Sequence, residues 1–307
     1  MQTEILAFGE PMVEFNHTGA GNDRTYLQGF GGDTSNFAIA AARQGASAGY
    51  ITALGDDHYG RMFRKLWADE GVDASNVKTD IEAPTAVYFV DHDDAGHHFT
   101  FFRNGSAASR YRAADLPLAA ISAAKILHLS GISLAISASS CDAGFAAMAH
   151  ARANGVRVSF DTNLRLKLWP MDRARAIITE AMRFADICLP SHDDIIAFGG
   201  PSDPDAVIDY ILSLGPKIVA LKLGSKGSII ADGTRRVAVP PHRCSPVDAT
   251  GAGDCFGGAF IARIIAGDDM VKAARYAGAA AALKTEGFGA VAPIPHAAFV
   301  NAALQQA

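Results

Sequence analysis

The run Asp248-Ala249-Thr250-Gly251-Ala252-Gly253-Asp254-Cys255-Phe256-Gly257-Gly258 carries the densest chemistry in the chain. Gly251 and Gly253 flank Ala252, so backbone N–H groups can gather around an anion with no side chain in the way. Residues 256–265 read as a buried helix, whose unpaired first-turn N–H groups and positive dipole end face the same anion. Asp254 falls at the start of that helix, within reach of whatever the turn binds. An anion hole beside an isolated carboxylate suits phosphoryl transfer to a hydroxyl. The loop holds the migrating charge, while the Asp orients the acceptor and takes its proton. Asp254 is therefore the candidate base, and Gly251, Ala252 and Gly253 are the candidate hole. A side chain at Gly253 is expected to obstruct the phosphoryl group and to force a forbidden backbone angle. A Walker loop is absent from the chain, and a dinucleotide fingerprint would need glycine where Phe256 stands, which disfavours a dehydrogenase.

Such a site needs a scaffold, and the hydrophobic pattern supplies one. Apolar runs at 5–8, 48–54, 126–129, 156–160, 187–189 and 218–223 alternate with helical patterns at 36–44, 61–70, 139–153, 173–185 and 204–214. Two further helices are expected at 256–265 and 270–284. Continuous apolar strands separated by helices predict a mostly parallel sheet covered on both faces, a three-layer α/β sandwich. Segments 11–30 and 84–103 break this rhythm. Tyr88-Phe89-Val90 and Phe99-Thr100-Phe101-Phe102 are β-rich, and Asp93-Asp94-Ala95-Gly96 between them is a turn. They predict a small β-sheet lid over the strand ends, placed to exclude water. The body then comprises residues 1–10, 31–83 and 104–307. Asp91-His92-Asp93-Asp94 with His97-His98 reads as a solvated hairpin rather than a metal cluster.

Three more strings carry polar groups at element ends. Gly31-Gly32-Asp33-Thr34-Ser35-Asn36 precedes a small-residue helix; its glycines admit close approach of a ligand, and Asp33 and Asn36 can bond hydroxyls. Thr34 or Ser35 can equally serve as the helix cap. Lys222-Leu223-Gly224-Ser225-Lys226-Gly227-Ser228 reads as a hairpin turn. Asp161-Thr162-Asn163-Leu164-Arg165 follows a strand, at the end where open α/β sheets bind ligands. Arg165 offers a planar fork for carboxylate or phosphate, and Arg103, at the end of a lid strand, offers a second cation from the opposite side.

Together these strings resemble the ribokinase-like (PfkB) carbohydrate kinases over essentially the whole chain. The 248–258 run matches that family's C-terminal signature, and Gly31 to Asn36 matches its N-terminal Gly-Gly-x-x-x-Asn sugar-binding motif. Gly55-Asp56-Asp57-His58-Tyr59-Gly60 matches a third pattern, with a mostly structural role. The resemblance implies Asp254 as base and a lid whose outer face forms a homo-oligomer contact. It implies nucleotide contacts from Asn163, Arg165, Lys222, Gly224, Ser225, Gly227, Gly251 and Gly253, with Gly289 in an adenine-side loop. ATP with Mg2+ is the expected cofactor, along with a monovalent cation near Asp248 and Thr250.

Within the family, residues 129–136, 161–169 and Phe102-Arg103-Asn104 resemble 2-keto-3-deoxygluconate kinases. That implies a sugar acid gripped by Gly32, Asp33, Asn36, Tyr88, Phe101, Arg103 and Arg165, and phosphorylated on its 6-hydroxyl. Fructokinases share the Asp-x-Asn-x-Arg segment and remain the alternative. An inactive sugar or nucleotide sensor is the distant one, and the intact Asp254 argues against it. Phe101 and Phe102 stand where many relatives carry tyrosine. Ser191-His192-Asp193-Asp194 replaces an Asn-x-x-Glu motif, leaving Asp194 to organise magnesium through water.

Bulk properties agree with a small-molecule enzyme. Of 307 residues, 49% are hydrophobic and 19% charged, enough for a large core. A net charge of −5 gives no pull toward nucleic acid or anionic membrane. The N-terminal residues lack a basic region, and no apolar stretch reaches the ~18 residues of a membrane span, so a cytoplasmic location is expected. Cys141, Cys188, Cys244 and Cys255 are scattered, indicating neither disulfides nor a zinc site.

Overall fold

Strands that are apolar at every position must be buried on both faces. The computed structural model, which describes residues 2–18, 25–93 and 96–306, places them so. In chain order the first strands are β1 (Ile5–Phe8), β2 (Met12–His17), β3 (Tyr26–Gly31), β4 (Ala48–Gly55), β5 (Val77–Asp80), β6 (Val87–Asp93) and β7 (Gly96–Phe102). The remainder are β8 (Ile126–Ser130), β9 (Arg157–Asp161), β10 (Ile187–Cys188), β11 (Ile218–Lys222), β12 (Ser228–Asp232) and β13 (Arg236–Val239). Among the described residues the large sheet has the order β13-β12-β11-β10-β9-β8-β1-β4-β5. It is parallel from β5 to β11 and antiparallel at β12 and β13.

The helices are α1 (Asp33–Arg43), α2 (His58–Asp69), α3 (Leu118–Ala123), α4 (Gly131–Ala135), α5 (Ala138–Ala153) and α6 (Met171–Phe184). They continue as α7 (His192–Ala197), α8 (Pro204–Leu214), α9 (Ala252–Ile265), α10 (Met270–Lys284) and α11 (Ala297–Gln306). Alternation along the strands splits the core in two. Ile5 and Ala7 of β1 pack with α1, α2, α9 and α10, whereas Leu6 and Phe8 face α4, α5, α6 and α8. The result is the expected ribokinase-like three-layer sandwich.

A second sheet, in the order β3-β2-β6-β7, is built from the two segments that broke the α/β rhythm. Glu14, Tyr88 and Phe101 share one face of it by register, and Phe15, Phe89 and Thr100 share the other. Phe30 and Phe15 anchor the second face on Phe63 and Tyr59 of α2. Residues 94 and 95, half of the turn expected at Asp93-Asp94-Ala95-Gly96, lie outside the described residues. The Gly55 to Gly60 string is structural: Asp57 caps α2 at Gly60 N, 2.7 Å, and also accepts from Thr85 N at 2.7 Å.

Two helices set the geometry of the site. Gly257 and Gly258 let α9 lie directly on the backbone of α1, since a Cβ on Gly258 would collide with Phe37 O and lie 2.7 Å from Ala40 Cβ. We predict that Gly258→Val, by overpacking this contact, destabilises the fold by about 1–3 kcal/mol in urea unfolding and lowers turnover through displacement of α1. Gly278→Ala on α10, whose Cβ would meet nothing within 4 Å, should instead stabilise by roughly 0.5–1 kcal/mol.

Candidate active site

The carboxyl ends of β1, β8, β9 and β11 open on one crevice, and the N-termini of α1 and α9 point into it. Helix α9 starts at Ala252, earlier than the apolar pattern suggested, with Gly251 as its N-cap in the left-handed region, φ 76°. This corrects the expectation for Gly253, which lies inside the helix. The positive backbone angle belongs to Gly251. A Cβ on Gly253 would stand 3.5 Å from Lys222 Nζ, so the first-turn N–H groups of α9 and a lysine ammonium share one spot.

Asp254 Oδ2 accepts a hydrogen bond from Asn36 Nδ2 at 2.8 Å. Burial, then the neighbouring charges of Asp33 and Asp161, push its pKa up to about 7, against the Asn36 hydrogen bond and the charge of Lys222. A carboxylate so tuned is a proton acceptor near neutral pH. Beside it, Asn163 Nδ2 donates to Asp33 Oδ2 at 2.7 Å. Asp33 Oδ1 and Asn36 Oδ1 are buried acceptors that find no donor among the described residues. Orphaned acceptors at the base fit a ligand rich in hydroxyls.

Gly32, φ 106°, caps α1 where a Cβ would stand 2.5 Å from Glu10 O. Thr34 and Ser35 are not caps: Thr34 bonds Tyr50 at 2.7 Å, and Ser35 accepts from Trp67 Nε1 at 3.0 Å. Both side chains point inward and lock α1 to the core.

The loop after β9 is held from below. Asp194 Oδ2 accepts from Thr162 Oγ1 at 2.9 Å and from Leu164 N at 3.1 Å, and burial raises its pKa. Asp161 pairs with Lys222 and receives Asn163 N at 3.2 Å. The loop bends at Asn163, φ 31°, and ends with Arg165 exposed, its Nη1 donating to Leu164 O at 2.8 Å. Asn163, expected as a nucleotide contact, bonds Asp33 here.

The second sheet contributes Tyr88, whose hydroxyl donates to the buried Glu14 carboxylate and would lie 2.5 Å from a Cβ on Gly31. Phe101 stacks on Tyr88 with centroids 5.5 Å apart. Arg103 is not an uncompensated cation: its Nη2 lies 2.5 Å from Oε2 of Glu10, a fully buried carboxylate that also accepts from Ser106 Oγ at 2.9 Å. Glu10 follows an apolar strand in the sequence, and that lone charge was the available signal for it.

On the far side, residues Gly224–Lys226 form a 3-10 turn between antiparallel β11 and β12, as the hairpin reading required. Gly224 and Ser225 are exposed there, while Gly227, φ 88°, packs where a Cβ would stand 2.8 Å from Pro241 N. Gly289 N donates to Asp248 Oδ2 at 2.8 Å, joining the C-terminal loop to the anion-hole turn. No group of three or more His, Cys, Asp or Glu able to hold a metal occurs among the described residues. That donor set fits Mg2+ carried on phosphates and water, with Asp194 keeping one oxygen unbonded by the described residues. At Asp248 each oxygen accepts one hydrogen bond. Asp248 O accepts from Lys284 Nζ at 2.9 Å, and its carboxylate from Thr250 N and Gly289 N, both 2.8 Å.

The sequence profile described as pfkB family carbohydrate kinase matches residues 2–297. The chain is 34% identical over 288 residues to a 2-dehydro-3-deoxygluconokinase of Thermoproteus tenax, covering 91% of this chain and 87% of that one. It is 34% identical over 305 residues to fructokinase-1 of Oryza sativa subsp. japonica, covering 95% and 94%. Among solved structures, an E. coli protein described as a ribokinase II, in complex with ATP and Mg2+, superposes with a TM-score of 0.91 at 26% identity, covering 99% and 100%. A fructokinase of Vibrio cholerae O395 with fructose, ADP and calcium gives 0.88 at 28% identity, covering 99% of each.

For Asp254 as the candidate base, a pKa near 7 has a kinetic consequence. We predict that kcat/KM falls with unit slope below about pH 7 as Asp254 is protonated, and that Asp33→Asn moves this limb toward lower pH by removing a like charge. A flat profile from about pH 5 to 8 would contradict the assignment.

Proposed function

The chain belongs to the pfkB family of carbohydrate kinases and is therefore a sugar phosphotransferase; from that premise we propose that it phosphorylates the 6-hydroxyl of 2-keto-3-deoxy-D-gluconate with ATP. One observation carries the reading. Side-chain hydrogen bonds join Asp254 to Asn36 and Asp33 to Asn163 beside a helix N-terminus, and Arg165 stands two residues beyond Asn163 on the same loop. The orphaned oxygens of Asp33 and Asn36 receive sugar hydroxyls, and the acceptor hydroxyl sits against Asp254. As its oxygen attacks the γ-phosphorus and the bond to ADP breaks, Asp254 takes the proton. The N–H groups of Gly253 and Asp254, together with Lys222, hold the charge on the transferred group, while Ala252 N closes the turn on Ala249 O at 3.1 Å. Gly224, Ser225, Gly227 and Gly251 flank the nucleotide phosphates, and Gly289 the adenine. Asp194 would hold Mg2+ through water, where the ion would neutralise phosphate charge.

Acid specificity rests on Arg165. Its guanidinium bonds only a backbone carbonyl oxygen among the described residues, so its charge is available to a carboxylate. Arg103 acts with it but is held by Glu10, and removing it would strand a buried carboxylate. The lid of this family member closes over the sugar. The exposed Phe102 and Tyr26 on its other face, 61% and 38% accessible, support pairing of two copies through it. Fructose is the second reading, favoured by the equal identity to a fructokinase.

A kinase assay across keto-deoxy sugar acids and neutral hexoses tests the proposal, with the acid expected to give the higher kcat/KM. Arg165→Ala should raise KM for the acid by the ~1.5–3 kcal/mol of a charged hydrogen bond, roughly tenfold or more, while fructose is affected far less. KM for ATP is measured alongside, because Arg165 also borders the nucleotide. Higher kcat/KM for fructose, or an equal loss on both sugars, would replace the acid by a neutral hexose.

A further inference from the structure

Lys284 ends α10, a helix whose other buried residues are Met270, Tyr276 and five alanines, Ala273, Ala274, Ala277, Ala279 and Ala280. Its side chain is 0% accessible. Burying a lysine is costly unless its ammonium is used, and burial does pull its pKa down. The titratable groups that act on it are Asp248, Cys255, Asp254 and Glu14, and all of them favour its charged form. Its one hydrogen bond among the described residues goes to Asp248 O, 2.9 Å away.

That carbonyl belongs to the turn that launches α9. Val247 N and Asp248 N both donate to Thr285 O, at 2.7 and 3.0 Å. The Asp248 carboxylate ties down Thr250 N and Gly289 N, and Gly251 then makes the left-handed step into the helix. The end of α10 thus clamps the anion-hole turn, with a cation at the centre of the clamp. The ammonium and two N–H groups each hold one oxygen of Asp248, so a positive charge already stands at the carbonyl where a monovalent metal ion would compete for it.

We propose that Lys284 is the resident monovalent cation of this enzyme, a positioning residue whose ammonium holds the Asp248 carbonyl and so fixes the Gly251-Ala252-Gly253 turn under the transferred phosphoryl group. No alkali ion is then required. The proposal rests on the kinase activity but not on which sugar is used.

The full-length protein is assayed with whichever sugar it turns over, in K+, Na+, NH4+ and tetramethylammonium chloride at equal ionic strength. ADP affinity by calorimetry and thermal unfolding are followed in the same salts. Wild-type kcat, ADP affinity and Tm should not depend on the cation. Lys284→Met keeps most of the stem volume without the charge and should lose kcat by about 10²-fold, the scale of one lost preorganised donor, with KM for the sugar far less changed. Lys284→Ala should lose as much and regain part of its kcat and Tm in NH4+ or K+, which Lys284→Met should not. A wild-type enzyme activated or stabilised by K+ over tetramethylammonium would overturn the proposal, as would a folded Lys284→Met enzyme with undiminished kcat. Should Lys284→Ala not fold, the wild-type salt series and Lys284→Met still decide. Should no sugar be phosphorylated, the kinase reading fails by itself, and the salt dependence of wild-type ADP affinity and Tm still judges the ion claim.

Discussion

A carboxylate must stay buried beside two others and still be ready to take a proton: that constraint shapes the crevice. The charges of Asp33 and Asp161 act on Asp254, and burial adds to the cost of ionising Asp254 and Asp161. The chain offsets this with the Asn36 hydrogen bond, the Lys222 ammonium, the positive end of α9 and the Lys284 ammonium behind the turn. Each is fixed by a separate element, so the site exists only when the sandwich is assembled.

Assembly depends on small side chains. The alanines of α1 and the paired glycines of α9 bring the two backbones close enough for Asn36 to reach Asp254, a partner 218 positions away. The same closeness holds Gly32 against Glu10 O and sets Asp33 at the crevice mouth. Larger residues would pack the core as well but would separate Asp254 from the groups that tune it.

Much of the fold was legible because apolar runs and helical patterns are local. Pro204–Leu214 and Met270–Lys284 occur at the bounds the pattern gave, and the two irregular segments became the second sheet. The Gly251 to Asp254 run was legible for the same reason, its groups being contiguous. What escaped depends on distance in sequence. The Glu10–Arg103 pair joins the end of β1 to the end of the second sheet, and nothing near either residue announces the other. Asn163 could be placed on a crevice-facing loop, but only the fold shows that it meets Asp33. The left-handed residue was misassigned to Gly253 because the apolar pattern starts the helix at 256, whereas α9 begins at Ala252 on a turn of small residues with no hydrophobic signature. Lys284 was hidden in an alanine-rich helix, where a terminal lysine reads as an ordinary solvated end.

The central claim is that Asp254 is kept ionisable at a cost in stability because the reaction needs its charge. With the folded pKa raised to about 7, the folded protein holds this proton more tightly than the unfolded chain. Asp254 therefore contributes least to stability above that pH, and its penalty builds up between about pH 4 and 7. The most direct measurement is the pH dependence of unfolding for wild type and Asp254→Asn, taken with kcat for each. The account predicts that the Asn variant loses kcat by about 10²–10⁴-fold and is the more stable protein above pH 7, with the advantage shrinking toward pH 4. A variant that is less stable at every pH, or one that keeps more than about a tenth of wild-type kcat, would contradict it.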